Sequence, residues 1–242
     1  MRILVISDIH ANLAALEAVL QDAAGQWEQI WCLGDLVGYG PDPNECVALL
    51  REHNHLSLSG NHDWAVLGQL AIERFNAEAQ SAIKWCRRQI SQESFNYLRE
   101  LPPRMDIDAF TLAHGSPRHP VWEYILDYET AAANFKHFDT PYCLVGHTHA
   151  AAIFEQDAAG EVSLHLPAYD QIIPLNSHPL IINPGSVGQP RDADPRAAYG
   201  FLDTEAMTWQ HCRVAYDVAQ TQAKMRQHKL PARLIARLEH GW

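Results

Sequence analysis

Ile3-Leu4-Val5-Ile6-Ser7-Asp8-Ile9-His10 decides how the rest of the chain is read. Four apolar residues in a row, three of them β-branched, form the pattern of a short strand buried on both faces, as in the parallel sheet of an α/β protein. A carboxylate and an imidazole follow where the strand should end. Alternate side chains of an extended backbone share a face, so Asp8 and His10 are expected to reach one cation together while Ile9 turns to the core.

The same arrangement recurs four times. Ile30-Trp31-Cys32-Leu33 runs into Gly34-Asp35, and Leu56-Ser57-Leu58-Ser59 into Gly60-Asn61-His62-Asp63. Phe110-Thr111-Leu112-Ala113 runs into His114-Gly115, and Tyr142-Cys143-Leu144-Val145 into Gly146-His147-Thr148-His149. A carboxylate can bridge two divalent ions through its two oxygens, which makes Asp35 the candidate bridge. Asn61 offers a neutral oxygen at a tight glycine turn. Imidazoles mixed with carboxylates suit Zn, Fe, Mn, Ni or Co better than calcium. Any one of these motifs occurs by chance, and a lone histidine at a strand end is usually a turn or surface residue. Five in order, each closing an apolar run, point to a two-metal centre.

The ordered set resembles the calcineurin-like metallophosphoesterases, a superfamily defined by Asp-x-His, Gly-Asp, Gly-Asn-His-Asp/Glu, an isolated histidine and Gly-His-x-His. The resemblance runs from residue 1 to about residue 203, and the loop Asn183-Pro184-Gly185-Ser186-Val187-Gly188-Gln189-Pro190-Arg191 is typical of the small bacterial members. It implies that Asp8, His10, Asp35 and His149 hold one metal, that Asp35, Asn61, His114 and His147 hold a second, and that His62 stays uncoordinated beside the reacting phosphate. It also implies hydrolysis of a phosphate ester by a bridging hydroxide, with His62 as general acid or charge stabiliser. The plainer role for His62 is to cap the Asn61 turn.

The match departs from the serine/threonine protein phosphatases, whose second motif reads Gly-Asp-x-Val-Asp-Arg-Gly. Here it reads Gly34-Asp35-Leu36-Val37-Gly38-Tyr39-Gly40, without the later Asp and Arg. Arg191 and Arg118 are candidate replacements, because a guanidinium can grip a phosphate with two hydrogen bonds. Tyr39, in the place of the missing arginine, could bond or stack on substrate, and Trp122 and Tyr124 could wall a nucleoside or aryl group. The alternatives are solvated arginines and packed aromatics.

The 242 residues suffice for one sizeable core, and the motifs span it, so a single domain over 1–242 is expected. Formal net charge is −11, from 29 acidic and 18 basic residues, which argues against a nonspecific nucleic-acid surface. Cys32, Cys46, Cys86, Cys143 and Cys212 form no Cys-x-x-Cys pair and read as buried thiols. No run approaches the ~18 apolar residues of a membrane span. A cleaved leader would remove Asp8 and His10, so a cytoplasmic location and a phosphorylated small-molecule or nucleotide substrate are expected.

Helices are expected at about 13–24 and 43–53, a helical insertion at about 64–108 with helices near 77–90 and 91–101, and C-terminal helices at about 217–240 with a new start at Pro231. Alternating runs at 152–155, 162–166, 180–183, 198–203 and 208–214 suggest a second sheet. The outcome is an α/β fold, a four-layer αββα sandwich of two mixed sheets, as the resemblance also implies. Two function classes remain: a dinuclear phosphoesterase acting on a mono- or diester, or a scaffold that keeps the fold without catalysis. A scaffold has no need of a complete ligand set, and here no position is missing.

Overall fold

Strand β1 (Arg2–Ile6) lies inside the first sheet in the computed structural model, which describes residues 1–175 and 178–242. Its period-two alternation feeds two cores. Leu4 and Ile6 pack under helices, whereas Ile3 and Val5 pack against the second sheet beside Trp31, Leu112, Leu144 and Ile182. That double burial is why the run is continuously apolar.

Parallel to β1 runs β2 (Gln29–Cys32), then β3 (His55–Ser57). On the other side β11 (Ala197–Asp203), β12 (Thr208–Val214) and β9 (Ile172–Pro174) continue the sheet antiparallel. The second sheet has β5 (Phe110–Ala113), β6 (Tyr142–Val145) and β10 (Leu180–Asn183) in parallel, flanked by β4 (Arg104–Ile107) on one side and by β7 (Ala152–Gln156) and β8 (Val162–His165) on the other.

The runs at 198–203 and 208–214 therefore complete the first sheet, contrary to expectation. Their apolar pattern shows that a strand is buried, not which sheet takes it. The free side of β1 decides, pairing Arg2 with Asp203 and Val5 with Gly200.

Helices α1 (Leu13–Asp22), α2 (Pro43–Arg51), α3 (Asn61–Leu67), α4 (Ala77–Gln89), α5 (Gln92–Arg99), α7 (Val218–Gln227) and α8 (Ala232–Arg237) contribute to the core outside the first sheet. Outside the second sheet lies α6 (Tyr128–Asn134), with Ile125, Ala131, Phe135 and Phe138 packed on Cys143, Val145, Phe154 and Ile181. The chain is thus the expected αββα sandwich. Local signals hold at the helix starts: Asn76 and Ser91 accept from the amides of Ala79 and Ser94 at 2.9 and 3.1 Å. The stretch 64–108 is helical only as far as Arg99, because Arg104–Ile107 pairs with β5 and belongs to the second sheet. Helix α6 had no counterpart in the sequence reading. All five cysteines are free and buried, and among the described residues no helix is long and apolar enough to cross a membrane.

Candidate metal centre

The carboxyl ends of β1, β2, β5 and β6 meet where the two sheets face each other, and the motif residues follow those ends. The backbone there is not extended. Asp8, His10, Asp35, His147 and His149 have φ of 53°, 48°, 53°, 65° and 59°. The left-handed region costs a non-glycine residue of order 1 kcal/mol or more, so the surrounding bonds must hold it. They do: Asp8 N donates to Gly34 O at 3.0 Å, His10 N to Asp35 O at 2.9 Å, and Gly146 N to His114 O at 2.8 Å. Asp8 and His10 do converge, but two left-handed residues aim them, not the alternation of a strand.

Close approach adds a second constraint. A Cβ on Gly60 would stand 2.0 Å from Asp35 Oδ1, and one on Gly146 would stand 2.0 Å from Ser7 Oγ. Asp63, fully buried, clamps the two loops by accepting from the amides of Gly60, Leu36 and Val37 at 2.9, 3.3 and 3.1 Å. Burial, followed by the Asp35 charge, pushes Asp63 up to about 7.

Two half-sites share Asp35. In the first, His149 Nε2 lies 3.2 Å from Asp8 Oδ1, and His10 Nε2 lies 3.7 Å from Asp8 Oδ1 and 3.5 Å from Asp35 Oδ2. In the second, His114 Nε2 lies 3.3 Å from Asp35 Oδ2 and 3.1 Å from Asn61 Oδ1. His147 also falls within ligand reach of Asp35 and His114. All seven side chains are 0–3% exposed.

The ring nitrogens are set from behind. His10 Nδ1, His114 Nδ1 and His149 Nδ1 lie 3.2, 2.9 and 2.6 Å from the carbonyls of Val37, Leu33 and Gln189. A carbonyl only accepts, so each Nδ1 carries a proton and each Nε2 is turned to the centre, where a metal would replace the second proton that His114 holds. His147 is turned the other way, its Nε2 3.3 Å from Trp122 O, which leaves Nδ1 for the centre. The carboxylates complete the pattern. Asp8 Oδ2 accepts from Ser7 Oγ and His147 N, and Asp35 Oδ1 from His62 N, yet among the described residues Asp8 Oδ1 and Asp35 Oδ2 have no well-formed hydrogen bond. Two buried anionic oxygens ringed by imidazole nitrogens at 3.2 to 3.7 Å are costly unless cations join them, so the residues present fit metal ions.

The titration pattern agrees. Burial alone would raise Asp35, but the charges of His114, His62 and His10 outweigh it and hold the carboxyl well below its usual range. Burial, followed by the His114 charge, takes His147 down to about 3. At His114 burial is outweighed by Asp35, and the pKa rises to about 9. A metal at this site would displace that proton, making its binding pH-dependent.

His62 lies on the first turn of α3, with its ring 4.8 Å from His10, 4.2 Å from Tyr39 and 5.0 Å from Phe75. Among the described residues its buried Nδ1 has no partner, and the ring falls within ligand reach of His10 and Asp35. Burial takes its pKa down to about 4.

The expected substrate residues divide. Arg191 N donates to His149 O at 3.0 Å, and its Nη2 lies 3.5 Å from Tyr39 OH, so both reach the centre. Arg118 is tied to the Glu123 carboxylate, which also accepts from Ser116 and Asn134, so its guanidinium is already engaged. Tyr124 stacks on His147 with centroids 3.9 Å apart, and Trp122 packs on Phe75. Sequence reasoning missed the carbonyls of Leu33, Val37 and Gln189, which no motif marks as orienting groups, and the clamping role of Asp63, whose motif was read for its amide and imidazole alone.

An αββα sandwich that gathers buried carboxylates and imidazoles where the carboxyl ends of its two sheets meet has the build of a metallohydrolase. The chain belongs to the calcineurin-like phosphoesterase superfamily, whose domain profile it matches over residues 1–207. It is similar to a metallophosphoesterase from Sphaerobacter thermophilus, with 50% identity, a TM-score of 0.92, and coverage of 100% of this chain and 99% of that one. An uncharacterized protein of Methanocaldococcus jannaschii is 38% identical over 246 residues, covering 99% of this chain and 98% of the relative. A hypothetical protein from Pyrococcus horikoshii shares the fold, at 20% identity and a TM-score of 0.80 over 100% of this chain and 98% of that one. Membership places the chain among metal-dependent phosphoester hydrolases.

Proposed function

We propose that the chain hydrolyses a phosphate ester with two divalent transition-metal ions, one held by Asp8, His10, Asp35 and His149 and the other by Asp35, Asn61, His114 and His147. The observation that carries this reading is the pair of bare oxygens, Asp8 Oδ1 and Asp35 Oδ2, facing imidazoles whose far nitrogens are bonded to backbone carbonyls or, in His147, near one. Ions held there would lower the pKa of a shared water, orient it for in-line attack and neutralise phosphoryl charge. Asp35, with one oxygen fixed by His62 N and the other turned to the imidazoles, would hold metal in both half-sites.

His62 stands over the first half-site and stabilises the leaving oxygen. Its ring is neutral before substrate binds, and the charge of an arriving phosphate would raise its pKa, so that it acts as a hydrogen-bond donor or as a general acid. Arg191 grips a phosphoryl oxygen from the side of Tyr39. We read 1–242 as one domain, because the site draws on residues from Asp8 to Gln189 and Thr221 of α7 donates to Asn12 at the start of α1.

The test is hydrolysis of p-nitrophenyl phosphate and bis(p-nitrophenyl) phosphate by protein loaded in turn with manganese, iron, zinc, nickel or cobalt, with metal content measured on the same sample. Two ions per chain with turnover of either ester is the expected result. Two ions without turnover of any phosphorylated metabolite, nucleotide or phosphopeptide would make the chain a catalytically silent scaffold.

A further inference from the structure

The four ligand histidines are not held alike. The carbonyls behind His10, His114 and His149 sit on residues whose own amides are bonded elsewhere in the core, Val37 to the buried Asp63 carboxylate at 3.1 Å, Leu33 to Ile6 O at 2.8 Å and Gln189 to Ser186 Oγ at 2.8 Å. The carbonyl behind His147 belongs to Trp122, in the loop that runs from His114 at the end of β5 to the start of α6. Trp122 N donates to His119 O at 3.2 Å, a bond within the same loop, so this carbonyl is only as fixed as the loop that carries it.

Glu123, the next residue, ties the loop down. Its Oε2 accepts from Ser116 Oγ at 2.7 Å, Asn134 Nδ2 at 2.8 Å and Arg118 Nε at 3.2 Å, while Oε1 accepts from Arg118 Nη2. Ser116 and Asn134 are fully buried, and Asn134 stands on α6, which packs on the second sheet. Burial would raise Glu123, but the bonds from Arg118, Asn134 and Ser116 outweigh it and bring its pKa down to about 2. The loop also closes on itself, since a Cβ on Gly115 would stand 2.9 Å from Trp122 N and 3.0 Å from Glu123 N. On either side of Glu123 the chain touches one ring: Trp122 O lies 3.3 Å from His147 Nε2, and Tyr124 stacks on His147 at 3.9 Å with the planes 12° apart.

We propose that Glu123 is a positioning residue for the second metal ion: bound by Ser116, Arg118 and Asn134, it holds the Trp122 carbonyl and the Tyr124 ring against His147, so that Nδ1 of His147 is the atom given to the metal. This rests on the two-metal reading and deepens it, because it gives the two ions separate supports. The first is held by rings pinned from the core, the second by a loop with an anchor of its own. Arg118 then serves the centre through Glu123, without touching substrate.

Nuclear magnetic resonance of protein labelled with ¹⁵N in histidine and loaded with ¹¹³Cd tests this without turnover, since the cadmium coupling shows which nitrogen each ring gives to the metal. Wild-type protein should show coupling at Nδ1 of His147 and at Nε2 of His10, His114 and His149. Glu123→Ala should lose the His147 coupling and raise the Kd of the second cadmium about 10-fold or more, with the couplings of His10 and His149 kept and the first Kd within about 2-fold. Glu123→Gln, which keeps an oxygen to accept but not the charge that holds Arg118, should fall between the two at about 3-fold, and it decides the matter by the same readings should Glu123→Ala fail to fold. An unchanged His147 coupling with unchanged affinity overturns the proposal, as does an equal weakening of both ions, which is what a merely structural Glu123 would give. Absence of cadmium coupling at every histidine of the wild type would remove the two-metal reading itself, whereas coupling at all four rings that is indifferent to Glu123 would remove this proposal alone.

Discussion

Among the described residues histidines meet carboxylates in two places, and one of the two has the build of a metal site. At the outer place, lining a cavity of about 300 Å³ beside β7, β8 and β9, Glu155 accepts from His165 at 3.1 Å and from His178 at 2.6 Å. Both of its oxygens are used, and the three side chains are 30–53% exposed. At the inner place the histidines turn their Nδ1 protons away, toward carbonyls, and among the described residues two carboxylate oxygens are left without a well-formed bond between side chains only 0–3% exposed. The same residue types make an ordinary surface cluster in one case and a ligand array in the other. What separates them is whether the backbone behind fixes the tautomer, and whether the anion is left unsatisfied.

The strongest attempt to break that contrast is Asp35→Asn, which keeps the shape and removes the charge of the shared ligand. Both ions should bind more weakly, and hydrolysis should fall on the order of 10³-fold or more. Elemental analysis showing two tightly held ions in the variant, with normal turnover, would return Asp35 to a structural role. His62→Asn sharpens the same site from the other side, since His62 is proposed to serve the leaving group. Both ions should stay while the rate drops roughly 10²- to 10⁴-fold, and the drop should shrink for acidic phenol leaving groups that need little protonation. An equal drop across leaving groups would assign His62 to holding phosphate, and loss of metal would make it a ligand, as its reach to His10 and Asp35 permits.

Gly60→Ala probes the packing behind the array. The added Cβ would meet Asp35 Oδ1 at 2.0 Å and Asp35 N at 2.6 Å, so the two loops must part. Thermal melting should show a loss of about 1–3 kcal/mol, with weaker metal retention. A stable, fully loaded variant would mean that the loops are held less tightly than the Asp63 clamp suggests. Arg191→Ala is milder, raising KM or lowering kcat/KM about 10-fold with metal content intact.

How much of this could be read from the chain differs by level. The strand ends and their ligands were legible because each motif closes an apolar run long enough to be a buried strand, as at Ile3–Ile6 and Tyr142–Val145. Sheet membership of Ala197–Asp203 was not, since an apolar run reports burial and the partner strand lies almost 200 residues away. The left-handed turns at Asp8 and His149 were hidden because neither residue type demands them. Tautomers were hidden as well, for they depend on carbonyls such as that of Gln189, 40 residues from the ring it orients.

The smallest expected effect belongs to the outer cluster, and it is the control on which the contrast depends. Glu155→Gln removes the charge of the carboxylate that holds His165 and His178 but keeps an oxygen to accept one hydrogen bond. The group is about a third exposed, and ion pairs of that kind contribute on the order of 1 kcal/mol or less, so melting should move only slightly. Metal content should stay at its wild-type value and kcat/KM should remain within about 2-fold, because none of the seven proposed ligands touches this cluster. A Glu155→Gln variant that loses one ion per chain would show that an exposed, fully bonded carboxylate can serve as a ligand here, and the bare-oxygen criterion would fail as the mark of a metal site.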